Sequence, residues 1–385
     1  MSKSKAVKSL NLENFSVLPN TNFEFSPQLN VIMAENGCGK SHLLKLIYSL
    51  LEVTSNPNNE LSKTNLETQF ANKLINVFRP DSLGSLVKKA LGLQGIIEEL
   101  DANRRALEIL MKKSKTENDL DYEENSNTGD NPLNSKKANI KLTLLNEEYY
   151  HIKFSNTASK KVVIEKLINS YSELPIFIPS RELITLCPWF VSLYLTNSIP
   201  FEETWFDTCK LLTAPLLKDN ERIKDLLSQI EKAMDGSVLE KQGRFYLRPH
   251  RSNRTIEAPL VAEGLRKFVM IARLIATGAL LDKGYLFWDE PEANLNPKLI
   301  KVAARIIWSL SQQGIQVFIA THSLFLLREL ELLNFENKTD LPVRFFSLVA
   351  SDDGTKVEQG DSINDLDTLI LLDESIMQAD RYLNI

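Results

Sequence analysis

Val31-Ile32-Met33-Ala34 is an unbroken apolar run, and Glu35-Asn36-Gly37-Cys38-Gly39-Lys40-Ser41 follows it directly. Leu43, Leu44 and Ile47 come next at helical spacing. A buried strand, a turn with two glycines and a helix opening on a Lys-Ser pair leave few folds open. Such a turn curls backbone N–H groups around an anion, and the helix N-terminus adds its positive dipole end. In that geometry Lys40 reaches the β- and γ-phosphates of a nucleotide, and the Ser41 hydroxyl serves a magnesium ion. Ala34 stands where the pattern usually starts with glycine. It is admissible only if that position keeps a negative φ.

A second chemical centre lies far along the chain. Tyr285-Leu286-Phe287-Trp288-Asp289-Glu290-Pro291-Glu292 is an apolar run ending in acids. It fits a buried parallel strand that delivers carboxylates to its C-terminal edge, where open α/β sheets bind ligands. Asp289 suits a magnesium ligand, and Glu290 suits the base that orients and deprotonates an attacking water. Val317-Phe318-Ile319-Ala320 reads as another core strand, and it ends in Thr321-His322-Ser323. His322 is placed to touch a γ-phosphate. Val261-Ala262-Glu263-Gly264-Leu265-Arg266-Lys267 opens a helix through Ile271 and Leu274. A glycine at a helix start suits an anion, and Gly264 has no evident use within its own monomer.

The 385 residues are 43% apolar and 25% charged, enough for one large domain with insertions or for two. A net charge of -5 gives no global case for nucleic-acid binding but leaves room for a local basic face. There is no run long enough to span a membrane and no signal-peptide core. Cys38, Cys187 and Cys209 are too few and scattered for a disulfide framework or zinc site, so a reducing cytoplasm is expected. Residues 6–33 alternate as strands, with Asn20 and Asn22 read as turn residues. Residues 95–114 read as a helix, either packed on its own domain or projecting as a short coiled coil, and 117–135 as an acidic exposed loop. Ile140–Leu145 and Tyr149–Phe154 read as a hairpin, and Leu174–Pro179 as a core strand. Helical material reaches about Met234, with Trp189, Phe190, Trp205 and Phe206 as core. Arg248, His250, Arg251 and Arg254 lie in a turn between strands at 244–247 and 255–258. That turn is either a solvated tip or a phosphate contact.

The ordered set AENGCGKS, AEGLRK, YLFWDEPEANLNP and VFIATHS resembles an ATP-binding-cassette ATPase of the SMC, RecF and OLD (overcoming lysogenisation defect) group. The resemblance covers roughly residues 6–52 and 174–350. It implies an α/β P-loop fold with a mixed β-sheet core, an antiparallel sheet leading into the loop strand and a helical or coiled-coil insertion. The expected division is 1–90 for the first part of the ATPase head, 91–170 for the insertion, 171–350 for the second part and 351–385 for a tail. The resemblance implies ATP and Mg2+ as ligands. It assigns nucleotide contacts to Asn36, Gly37, Cys38, Gly39, Lys40, Ser41 and His42, and magnesium to Ser41 and Asp289. Catalysis falls to Glu290 and Lys40, with His322 as switch residue. Ala262, Glu263 and Gly264 close on the γ-phosphate held by a second subunit, and Ala293-Asn294-Leu295-Asn296 crosses the dimer seam. Two departures from the family stand out. Ala262 replaces the usual serine, and no glutamine follows the middle strand near Ser180-Arg181-Glu182. The compact build is similar to the ATPases of the PARIS and Septu antiphage systems. It implies a homo-oligomeric ATP-dependent switch controlling a separate nuclease or toxin, triggered by DNA or a phage protein, with no membrane. The alternatives are a RecF-like DNA-repair ATPase and an ATP-binding scaffold with little turnover.

Overall fold

The computed structural model describes residues 5–55, 62–88, 136–167, 173–197, 199–217, 221–252, 254–281, 284–336 and 341–383. The helix expected at 95–114 and the acidic loop at 117–135 lie outside them.

Strands β1 (Val7–Phe15) and β2 (Leu18–Glu24) form a hairpin. Its turn is at Ser16 and Val17, with Asn14 and Ser16 at φ +53 and +52. Asn20 and Asn22 sit inside β2, not in a turn, because their polar side chains occupy its solvent face. Strand β4 (Lys137–Leu144) pairs with β1, and β5 (Tyr149–Ser155) and β6 (Val163–Lys166) continue the sheet in the order β2-β1-β4-β5-β6. The hairpin that the sequence places in an insertion thus completes the antiparallel sheet.

The central sheet holds β3 (Leu29–Ala34), β7 (Pro175–Ile178), β11 (Tyr285–Asp289), β12 (Gln316–Thr321), β13 (Val343–Ser351) and β14 (Gly354–Gly360). Its order is β14-β13-β3-β12-β11-β7, all parallel except the β13–β14 pair. Parallel strands are covered on both faces and read as continuous apolar runs, as β3, β11 and β12 do. Successive side chains point to opposite faces. Val31, Trp288 and Ile319 join one core, while Ile32, Phe287 and Phe318 join the other. Residues 351–385, set apart as a tail in the sequence, supply β14 and α9 (Ile370–Leu383).

Helices α1 (Lys40–Ser55) and α2 (Lys63–Phe78) fill the layer between the two sheets. Helix α2 is not among the expected elements, although Leu66, Phe70, Leu74 and Val77 form its buried stripe. It ends at Arg79, in a left-handed conformation just before Pro80. On the other face lie α3 (Cys187–Thr196), α4 (Glu203–Leu212), α5 (Glu221–Met234), α6 (Glu263–Ala276), α7 (Pro297–Gln312) and α8 (Leu324–Glu336). Phe190 is core as expected, but Trp189 is 53% exposed. A third sheet, β8 (Gly236–Lys241), β9 (Arg244–Pro249) and β10 (Ile256–Glu257), precedes α6.

Two buried polar groups tie the layers. Lys73 of α2 meets Glu52 at 3.1 Å, Glu203 at 2.9 Å and Asp207 at 2.8 Å. Burial pulls its ammonium pKa down, but Asp207, Glu52 and Glu203 outweigh burial and hold it above the ordinary lysine value. Gln316, fully buried in β12, accepts the Val7 N–H at 2.8 Å. Its amide donates to the carbonyls of Val7 at 2.8 Å and Ser26 at 2.7 Å. Gln316→Leu removes three hydrogen bonds to backbone groups, of which the Ser26 carbonyl keeps its bond from Asn30 at 2.9 Å, so unfolding by urea should show a loss of about 2–4 kcal/mol. A loss below about 0.5 kcal/mol would refute the role given to this residue.

Candidate functional site

The loop after β3 has the shape that its glycines permit. Gly37 and Gly39 take φ +86 and +90, where a side chain is strained. A Cβ on Gly39 would also come within 2.8 Å of Val17 Cγ2. Ala34 lies in extended β3 and is absent from the positive-φ residues, so it is tolerated there. Helix α1 carries no acid in its first turn, which leaves its positive end free for an anion.

Val17, Glu35, Asn36, Gly37, Gly39, Lys40, Ser41, His42 and Glu290 line one cleft of about 240 Å³. Lys40 is 5% exposed, and its ammonium donates to the carbonyls of Ala34 at 2.7 Å and Glu35 at 2.9 Å. Burial lowers its pKa, opposed by the charges of Glu290, Asp289 and Glu292. The loop and the acids, some 250 residues apart in sequence, therefore meet in space. Cys38 faces away, buried at 3%, with burial raising its thiol pKa. It contributes backbone only. The His42 ring contacts the Ser16 hydroxyl at 2.5 Å and packs edge-on to Phe78, and burial lowers its pKa.

Asp289 ends β11 and is 7% exposed. Burial raises its pKa, while a hydrogen bond from Ser41 opposes the rise. Its Oδ1 has no hydrogen-bond partner. A buried carboxylate with an orphaned oxygen beside a hydroxyl is the donor set that a hard cation takes, so Ser41 and Asp289 fit Mg2+. Glu290 adopts φ +46. Its N–H donates to Ala320 O at 2.8 Å, turning its side chain out of the strand direction and into the cleft. The His322 Nδ1 lies 3.3 Å from Glu290 Oε1 and 3.5 Å from Glu292 Oε1.

Glu292 and Lys267, given no role from sequence, prove central. Glu292 is 6% exposed, and its Oε1 accepts the Thr321 hydroxyl at 2.7 Å and the His322 N–H at 3.0 Å. Lys267 is 2% exposed and donates to the Glu290 carbonyl at 2.6 Å. Burial pulls its pKa to about 8, against the nearby carboxylates. Its place on the buried face of α6, four residues before Ile271, was the signal in the sequence.

Ala262, Glu263 and Gly264 are not among the cleft-lining residues. Ala262 caps α6 without a side-chain hydrogen bond, and it and Glu263 are exposed. Gly264 does serve its own monomer, contrary to expectation. A Cβ there would meet Asn294 O at 2.5 Å, so only glycine lets the 293–296 loop pack against α6. Asn294 also donates to Glu263 Oε1 at 2.9 Å, and Asn296 caps α7 by accepting from Leu299 N. Glu182, where a glutamine was sought, pairs with Arg266 of α6 at 3.0 Å.

The chain belongs to the family described as "AAA domain, putative AbiEii toxin, Type IV TA system", whose model matches residues 29–328. It is thus an AAA-family P-loop ATPase domain. It is 21% identical over 332 residues to an "ATP/GTP phosphatase" of Helicobacter pylori, covering 82% of this chain and 85% of that protein. Among solved structures it is similar to the SMC head domain from Thermotoga maritima (12% identity, TM-score 0.47, 92% of this chain and 98% of that one). It is also similar to a Pyrococcus furiosus Smc head with an extended coiled coil bound to the C-terminal domain of ScpA (11% identity, TM-score 0.49, 98% and 99%). Among the described residues, no helix is long and apolar enough to cross a membrane.

Lys267 yields a test by pH. Its folded pKa of about 8 lies below the unfolded value of about 10.4, so the unfolded chain binds more protons between them. Stability from this residue therefore rises with pH across that window. The unfolding free energy of the wild type relative to Lys267→Met should increase by about 2 kcal/mol from pH 8 to pH 10. A constant difference would count against a depressed Lys267.

Proposed function

We propose that this chain hydrolyses ATP at the cleft between the phosphate loop and Glu290, and that a second copy completes the site. The observation that carries this reading is the buried, partnerless Asp289 Oδ1 behind Ser41, close to the two-glycine loop and Lys40. In this reading the Asn36–Ser41 loop cradles the phosphates, Lys40 neutralises the β- and γ-oxygens and His42 lines the wall. Ser41 and Asp289 would hold Mg2+, which supplies charge neutralisation on the phosphates when bound. Glu290 orients a water and takes its proton as the water oxygen attacks the γ-phosphorus. The bond from the γ-phosphorus to the bridging oxygen breaks, and ADP leaves. His322, whose N–H is held by Glu292 and whose Nδ1 lies beside Glu290, would contact the γ-phosphate.

The cleft is smaller than the ~300–1,000 Å³ of most ligand pockets, so one copy covers only part of a nucleotide. The exposed start of α6 at Ala262 and Glu263, beside Leu260 at 78% exposure, suits closure over the γ-phosphate of a partner. ATP then links association to binding. The resemblance of the compact build with WDEPEANLNP to PARIS and Septu ATPases is what suggests a switch that controls a separate nuclease or toxin.

Glu290→Gln should retain ATP affinity, lose turnover by about 100-fold or more and accumulate as an ATP-bound dimer in size-exclusion chromatography. Lys40→Ala should lose ATP binding. Equal hydrolysis by wild type and Glu290→Gln would remove Glu290 as the base, and a monomer with ATP bound would remove the shared site.

A second reading, contact with DNA, draws on β9 and its turn. Arg248, Arg251 and Arg254 are exposed, and Arg248 and Arg254 form no ion pair among the described residues. If this turn meets phosphates, fluorescence polarisation should give an affinity that falls with salt and weakens further when all three are changed to Glu. Equal binding by that variant would dismiss it.

A further inference from the structure

The phosphate loop is held from behind by the far end of the chain. Thr355 is the second residue of β14 and is 4% exposed. Its hydroxyl donates to the Cys38 carbonyl at 3.2 Å, and its N–H donates to the Val17 carbonyl at 3.0 Å. Cys38 lies between Gly37 and Gly39, the two left-handed glycines of the loop. Val17 lines the cleft and presses on Gly39. The turn before Thr355 is itself fixed. Gly354 takes φ +113 and abuts Val17 O, and Lys88 donates to the Asp353 carbonyl.

A peptide unit is planar and trans, so its C=O and N–H point in opposite directions. Drawing the Cys38 carbonyl toward Thr355 turns the Gly39 N–H away from β14, to the cleft side that Gly39 lines. Gly39 on one side of that peptide, and Gly37 just before Cys38, make this part of the loop easy to reorient unless something outside it holds it. Thr355 is the side chain that does so, and its own N–H sets the position of Val17 on the opposite wall.

We infer that Thr355 is a positioning residue for nucleotide binding: through the Cys38 carbonyl it aims the Gly39 N–H at the phosphates before ligand arrives. This rests on the proposed nucleotide site. The effect falls on affinity rather than on the chemical step, because the contacts of Thr355 are to the Cys38 and Val17 carbonyls and not to Glu290. It is a preorganisation effect, in which a loop already in its bound shape loses less freedom on binding.

Thr355→Val keeps the size and the backbone N–H and removes only the hydroxyl. The full-length variant should show a KM for ATP raised about tenfold with kcat within about twofold, and a similar loss in trinitrophenyl-ATP affinity. Thr355→Ser restores the donor and should return both to within about twofold of wild type. A Thr355→Val enzyme with unchanged KM, a loss confined to kcat, or failure of Thr355→Ser to restore binding would each overturn the inference. If Thr355→Val does not fold, Thr355→Ala is judged by the same criteria. Wild-type protein that binds no trinitrophenyl-ATP would overturn the nucleotide site itself, and the role of Thr355 with it.

Discussion

The arrangement rests on one strand. β12 lies between β3 and β11, and its Ala320 is opposite both Ile32 and Asp289. Those two residues are therefore level, two strands apart, at about 9–10 Å. Because all three strands run in parallel, their C-terminal ends open on the same edge. The loop leaving β3, the acids leaving β11 and the histidine leaving β12 have nowhere else to go. Gln316 at the start of β12 is bonded to Val7 and Ser26, so the strand that sets this register is also fastened to the antiparallel sheet.

Bringing those ends together concentrates charge in a poorly hydrated place. Asp289, Glu290 and Glu292 gather on one side, and Lys40 and Lys267 face them. Among the described residues, neither lysine hydrogen-bonds to a carboxylate. Each donates to backbone carbonyls, Lys40 to Ala34 and Glu35 and Lys267 to Glu290 and Ala293. The carboxylates keep unused oxygens in Asp289 Oδ1 and Glu292 Oε2. Burying polar atoms without partners is unfavourable, and the unmet acceptor capacity of these carboxylates suits a cation.

Helix α6 is joined to this centre at three levels. Arg266 pairs with Glu182 beyond β7, Lys267 holds the Glu290 carbonyl, and Gly264 lets the 293–296 loop lie against the helix start. A displacement of α6 would bear on the turn that aims Glu290, already in a left-handed conformation. The glutamate at the position where a glutamine was sought thus has a partner of its own within the chain.

Much of the centre was legible in the sequence because its signals are local. A continuous apolar run followed by Gly-Cys-Gly-Lys-Ser, or by Asp-Glu-Pro-Glu, specifies a strand, its burial and what stands at its end. Helix α2 was missed although its apolar residues are regular, strand β8 because Val238 and Leu239 stand side by side and give no alternation, and Asn20 and Asn22 were misread because asparagine favours turns but also suits the wet face of a strand. What only the tertiary structure decided was adjacency: that the 137–155 hairpin pairs with β1, that Glu292 and Lys267 are buried beside Glu290, and that Thr355 touches Cys38. These contacts join residues tens to hundreds of positions apart. Burial and hydrogen bonding between them arise only when the sheet order is set, and periodicity along a chain carries no record of which strands will be neighbours.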